Sequence, residues 1–177
     1  MTDSVIDIIG QNVERVNTIL LPALVDLQRD ITQVNYLYGP IKEVSELLDN
    51  WAKTGTGQKY PLVALIMPFT ADKGKILKID ASYDDMRIII AMFTEGTVTT
   101  AKRIENNFVP ILRPIYNELM NQLCLDGRIL QSQIETFEHK MIEWPFWDDG
   151  KDNNPFNDRL DIIEIKGLKL KIYTNNC

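Results

Sequence analysis

Apolar residues in this chain recur with two periods, and the longest regular stretch is helical. Between Thr99 and Leu125, the residues Ile104, Phe108, Leu112, Ile115, Leu119 and Leu123 return at three- and four-residue steps, which places them on one helix face. Pro110 and Pro114 sit inside that pattern. Proline lacks a backbone donor and clashes with the carbonyl four residues back, so a kink or restart is expected near Val109–Pro110. Two short apolar runs precede this helix, Pro61–Phe69 (PLVALIMPF) and Met86–Phe93 (MRIIIAMF). Both are rich in β-branched residues and bounded by turn formers, and they read as strands. The simplest core is a sheet covered on one face by the kinked helix.

The rest of the chain adds elements around that core. Asp3 or Ser4 can cap an N-terminal helix through Val5, Ile9, Val13, Val16 and Leu20, with Pro22 interrupting it and Ala23–Arg29 as a second piece. The stripe Ile9, Val13, Val16 and Leu20 must pack on something, either the chain's own core or a neighbouring subunit. Ile31–Gly39 alternates as a short strand, and Pro40 opens a helix to Trp51 that buries Ile41, Val44, Leu47 and Leu48. Lys53–Lys59 is a glycine-containing loop, and 70–75 (TADKGK) a turn. Ile76–Ala81 alternates as a half-buried strand that resumes, past a break at Ser82–Asp85, in Met86–Phe93. Thr99 or Thr100 caps the long helix, and Asp126-Gly127 ends it with a left-handed glycine.

Phe137–Trp144 has a strand period, and 145–159 forms an acidic loop holding Phe146, Trp147 and Phe156. Leu160–Tyr173 is a strand with a bulge at Lys166-Gly167 in preference to a hairpin. The expected fold is α+β, a mainly antiparallel sheet of about four to five strands packed by a long kinked helix, with additional N-terminal helices. It is one domain over 1–177, with a helical arm at 1–30, a core at 31–144, the aromatic loop at 145–159 and a C-terminal strand at 160–173.

Composition narrows the function classes. The chain has 177 residues, 45% hydrophobic and 25% charged, with a net charge of −6. Its longest basic cluster is Lys102–Arg103, which argues against tight binding to phosphate backbones. Cys124 and Cys177 are expected to be free thiols in a reducing compartment. Acids in the first ten residues are unlike a signal peptide, and no apolar run approaches the ~20 residues of a membrane span, so an intracellular origin is expected.

The chain carries none of the usual catalytic patterns. The loop around Gly55 and Gly57 lacks GxxxxGK[ST] and precedes a strand instead of a helix. The single histidine, His139, has no GxSxG partner motif. Asp148, Asp149, Asp152 and Asp158 lack EF-hand spacing, and Asp84-Asp85 reads as a strand-end turn. No catalytic residue, cofactor or metal is therefore expected.

The segments NYLYG, KYPLVALIMPF, MRIIIAMFTEGTVTTAKRIENNFVPILRPIYNEL and FNDRLDIIEIKGLKLKI resemble the head–tail joining proteins of tailed bacteriophages and prophages. This family is also called tail-terminator, tail-completion or neck-ring proteins. The likeness runs from Val34 to Ile172 and is nearest to homologues in phages of gut Bacteroidales, including crAss-like ones. It implies a non-enzymatic subunit of a homo-oligomeric ring, on the order of six or twelve copies. Such a ring sits in the virion between portal and tail proteins and encloses a channel through which DNA passes without sequence-specific binding. Candidate interface residues are Ile9, Val13, Val16, Leu20, Phe146, Trp147 and Phe156, which either meet neighbours or fold back on the core. The rival readings are a cytosolic protein-binding adaptor or regulatory domain, and an enzyme with an unusual site around His139, Trp144 and Asp148.

Overall fold

The structure, a computed structural model, describes residues 4–27, 31–54, 58–72, 81–130, 138–147, 156 and 158–172. The expected strand at Ile76–Asp80, Phe137, the tip of the 53–59 loop, most of 148–157 and Cys177 lie outside the described residues. The elements are α1 (Val5–Val25), β1 (Asn35–Pro40), α2 (Ile41–Thr54), β2 (Leu62–Met67), β3 (Thr70–Asp72) and β4 (Ala81–Phe93). They continue with a long helix, α3, running from Thr100 to Leu125, then β5 (Lys140–Trp144) and β6 (Leu160–Ile172). The fold is α+β, as expected.

One six-stranded sheet runs in the order β1-β2-β4-β6-β5, with β3 paired to β4 beyond the end of β2. Only β1 and β2 are parallel; the other pairs are antiparallel. β4 is continuous where the sequence suggests a break, and Thr70–Asp72 is a strand where it suggests a turn. The cause is a pair of bulges. Asp84-Asp85 on β4 stands opposite Lys169 alone, and Lys166-Gly167 on β6 stands opposite Arg87 alone. The two offsets cancel, so the register beyond them is restored. Asp85 and Gly167 take left-handed φ values of 56° and 67°, one in each bulge. Gly167 meets that requirement without a Cβ penalty, in keeping with the bulge reading of Lys166-Gly167.

The sheet is covered on both faces, not one. Val63, Leu65, Ile88, Ile90, Ile163 and Ile165 face α1 and α3, where Phe108, Leu112 and Ile115 pack. The alternate residues Leu62, Ala64, Ile66, Ile89, Ala91 and Ile162 face α2, through Val44 and Leu48. Burying β4 and β6 on both faces explains why they read as nearly unbroken apolar runs.

Ser4 caps α1 with a reciprocal box to Asp7, its Oγ accepting from the Asp7 N–H at 3.3 Å. Pro22 does not interrupt α1, which continues to Val25. Within the segment read as an N-terminal arm, α1 is built into the main core. Pro40 closes β1 instead of opening α2. Leu47, expected in the core, lies on the exposed side of α2.

Thr99 caps α3, its hydroxyl accepting from the Lys102 N–H. The kink or restart expected near Val109–Pro110 falls in a stretch of wide winding, after which the α-helix restarts at Arg113. Thr100–Arg103 is α-helical, Ile104–Leu112 is π-helical, and Arg113–Leu125 is α-helical again. The Arg113 N–H reaches the Phe108 carbonyl, five residues back. The extra residue per turn moves the Pro110 ring off the carbonyl it would strike in an α-helix. Gly127 takes no left-handed turn. Asp126 ends the helix in an extended conformation, its Oδ1 accepting from the Arg128 N–H at 3.0 Å.

Phe108 is fully buried between α3 and the sheet. Phe108→Ala is expected to cost about 3–5 kcal/mol in urea denaturation, whereas Val109→Ala, on the exposed side, should change stability by less than about 0.5 kcal/mol.

Candidate assembly surface and its buried polar anchors

The apolar stripe of α1 is core. Ile9, Val13 and Val16 are buried among the sheet and α3, with Leu20 half-buried at the margin. These residues satisfy themselves within the chain and leave no open stripe for a neighbour.

The aromatic residues of the 145–159 segment are also drawn inward. Phe156 is 3% exposed and packs with the α2-side core. The Trp147 ring packs on it at 5.6 Å, and the Trp147 N–H donates to the Leu160 carbonyl at 2.7 Å. Phe146 lies 4.4 Å beneath the Arg103 guanidinium, with Arg159 5.9 Å away. Both ends of the segment are thus fastened to the body, so of the two alternatives for these aromatics the packing shows the fold-back on the chain's own core.

What fastens the Phe146 end is a buried ion pair that no sequence pattern announced. Asp161, at the start of β6, is 0% exposed, and Arg103, near the start of α3, is 3% exposed. Arg103 Nη1 donates to Thr94 Oγ1 at 2.7 Å and lies 3.5 Å from Asp161 Oδ1. Its Nε and Nη2 donate to the Val98 and Glu95 carbonyls at 2.8 and 2.7 Å. Asp161 also accepts from Asn107 Nδ2 at 2.6 Å and from the Phe146 N–H at 2.8 Å. Arg159 packs so closely over Gly96 that a Cβ there would collide with its guanidinium. The pair therefore joins α3, the 94–99 loop, β6 and the Pro145–Trp147 turn. These donors are met by partners within the chain.

Asp126 forms a second anchor. Its carboxylate accepts from Arg128 Nε and Nη2 at 2.9 and 2.6 Å and from Asn12 Nδ2 at 2.9 Å, tying α3 to α1. The Arg128 side chain holds its pKa well below the ordinary carboxylate value. Glu164, buried on the α2 side of β6, accepts from Arg87 Nε at 2.5 Å and from Trp144 Nε1 at 3.1 Å. Tyr60 donates to Asp158 at 2.9 Å, and burial, reinforced by that carboxylate, pushes its phenol up. Asp158 also accepts from Lys59 Nζ at 2.7 Å.

Of the residues of the enzyme reading, His139 and Trp144 lie on opposite faces of the sheet. His139 Nε2 lies 2.7 Å from the Tyr116 hydroxyl on the α3 side, while Trp144 points to Glu164 on the α2 side. Asp148 lies outside the described residues. An open depression of about 570 Å³ beside His139 is lined by Asp85, Glu138, Lys140, Lys166 and Gly167. Among the described residues there is no cluster of His, Cys, Asp and Glu suited to a metal. No described helix is long and apolar enough to cross a membrane. Cys124 carries a half-buried thiol.

Exposed apolar side chains lie on both edge strands of the sheet, as they also do on α1 (Ile19, Val25), α2 (Leu47), α3 (Val109, Leu125) and the end of β4 (Phe93). Tyr38 on β1 is 52% exposed, and Met141 and Trp144 on β5 are each 43% exposed. Periodicity alone missed these residues, because an edge strand is recognised only once its neighbours are known. No family model, no curated protein and no solved structure matches this chain.

Asp161→Ala leaves Arg103 buried without its counter-charge and should cost about 3–5 kcal/mol by urea denaturation, with Arg103→Met/Asp161→Leu recovering part of that loss. A depressed carboxylate pKa adds stability above its ordinary value of 3.8, and that stability is lost as pH falls. The stability gap between wild type and Asp126→Asn should therefore be full at about pH 7 and shrink by about pH 3, measured by denaturation at both.

Proposed function

We propose that this chain is a non-enzymatic structural subunit of a phage head–tail connector, a neck ring that joins portal to tail and encloses the DNA channel. The observation that carries this reading is the contrast between the two sheet edges. A ring built head to tail needs two different, complementary surfaces on each subunit. Here β1 and β5 differ in side chains, in flanking helices and in charge, and both present apolar residues outward. The sequence likeness across Val34–Ile172 supports the same assignment.

The buried polar anchors fit a part that works under mechanical stress, because they tie loops to a fixed sheet and leave few degrees of freedom. A net charge of −6 would discourage DNA phosphates from adhering as the genome moves past. Made in the host cytoplasm, the subunit would then reside in the virion, in contact with portal, adaptor or tail proteins.

Native mass spectrometry and negative-stain microscopy of the purified chain, alone and with portal, test this reading. The expected species is a closed ring on the order of six or twelve copies. A monomer at every concentration that also ignores portal would overturn it.

A further inference from the structure

We propose that the joint between copies is a strand pair, in which the outer edge of β1 in one subunit hydrogen-bonds to the outer edge of β5 in the next. This deepens the ring reading and rests on it.

The backbone carries the argument. The Asn35 N–H donates to the Pro61 carbonyl at 2.8 Å, so Asn35, Leu37 and Gly39 turn their main-chain groups toward β2, and Tyr36 and Tyr38 turn theirs outward. Val34 would also face outward, but Asn17 occupies it. Its side chain donates to the Val34 carbonyl at 2.9 Å and accepts from the Val34 N–H at 2.6 Å. Pro40, which has no N–H, closes the other end. Among the described residues, the open window is thus Tyr36–Tyr38. Following the alternation of inward and outward groups from strand to strand through the ladders places Lys140, Ile142 and Trp144 toward β6, and Met141 and Glu143 outward.

Direction and faces agree with that phase. β1 and β6 run one way and β5 the other, so subunits repeated in the same orientation bring β5 against β1 antiparallel. Aligning the strand centres sets Tyr38 opposite Met141 and Tyr36 opposite Glu143. All four lie on the α1/α3 side of the sheet, and the two pairs coincide with the outward backbone groups. On the α2 side, Leu37 then meets Ile142, with Trp144 beside them. A one-residue slip would break both matches at once. Charge agrees as well. Glu43 stands beside Gly39 at the end of β1, and Lys140 opens β5 on the same face, so they come together across the joint.

The test uses the full chain with Cys124→Ser and Cys177→Ser, carrying Tyr38→Cys and Met141→Cys together. Within one chain these positions are four strand spacings apart, about 19 Å, too far for a disulfide. Mild oxidation should therefore give a ladder of linked subunits up to the ring, absent when either Tyr38→Cys or Met141→Cys is made alone. Glu43→Lys and Lys140→Glu should each weaken assembly about fivefold in sedimentation, and the double exchange should restore it. Circular dichroism confirms that each variant is folded. Rings that form without a disulfide between positions 38 and 141, and that ignore both charge changes, would overturn the strand joint and leave the neck-ring reading standing. A chain that assembles under no condition would overturn both.

Discussion

The ladder between β4 and β6 is the constraint on which everything else hangs. These two strands are each 13 residues long and lie in the middle of the sheet, buried on both faces. Ile88, Ile89, Ile90, Ile162, Ile163 and Ile165 are fully buried, and each such side chain is worth about 1.5–3 kcal/mol on leaving water. The helices exist as ordered elements because this pair gives them a surface on either side. The bulges matter for the same reason. They bend and twist the ladder while returning it to one register, so a long strand pair can follow the curvature of the helices packed on it.

Charge is used in two ways on this frame. Arg103, Asp161 and Glu164 lie beside or within the apolar core, and each is held by several donors or acceptors from distant parts of the chain. Desolvation makes such groups costly unless they are fully partnered, so they favour the one arrangement in which every bond is made. The remaining charges are mostly exposed and contribute little to stability individually. They set the character of the outside, acidic overall, with Lys140, Lys166 and Lys169 gathered near the β5 edge.

What could be read in advance follows from range. β2, β4, β6 and α3 were legible because apolar periodicity is local and strong, and the bulge at Lys166-Gly167 because Lys-Gly makes a poor hairpin turn. The second covered face was not, since Val44 and Leu48 meet Ala64 and Ile89 only through the topology. Nor was the Arg103–Asp161 pair, whose members stand 58 residues apart and look like ordinary surface charges in the chain. Nor was the choice between outward and inward placement of Phe146, Trp147 and Phe156, because the partners that cover them lie far away in sequence. Pro22 and Pro110 look like breaks in the sequence, but the first is absorbed within α1 and the second by a change of winding.

That change of winding fixes the phase of one end of α3 against the other. Arg103, Asn107, Ile111, Ile115, Leu119 and Leu123 are all buried, at steps of four residues. In a regular α-helix each step of four overshoots a full turn by about 40°, so the last of these residues would point nearly opposite to the first. The wide turns at Ile104–Leu112 absorb this drift and let a guanidinium at one end and leucines at the other look toward the same sheet. Removing one residue from this stretch, even a solvent-facing one such as Val109, would swing the Arg103 end by about 100° and carry it away from its carboxylate. Length here is under tighter control than identity: the phase between the two ends depends on the number of residues in that segment and not on which letters face outward.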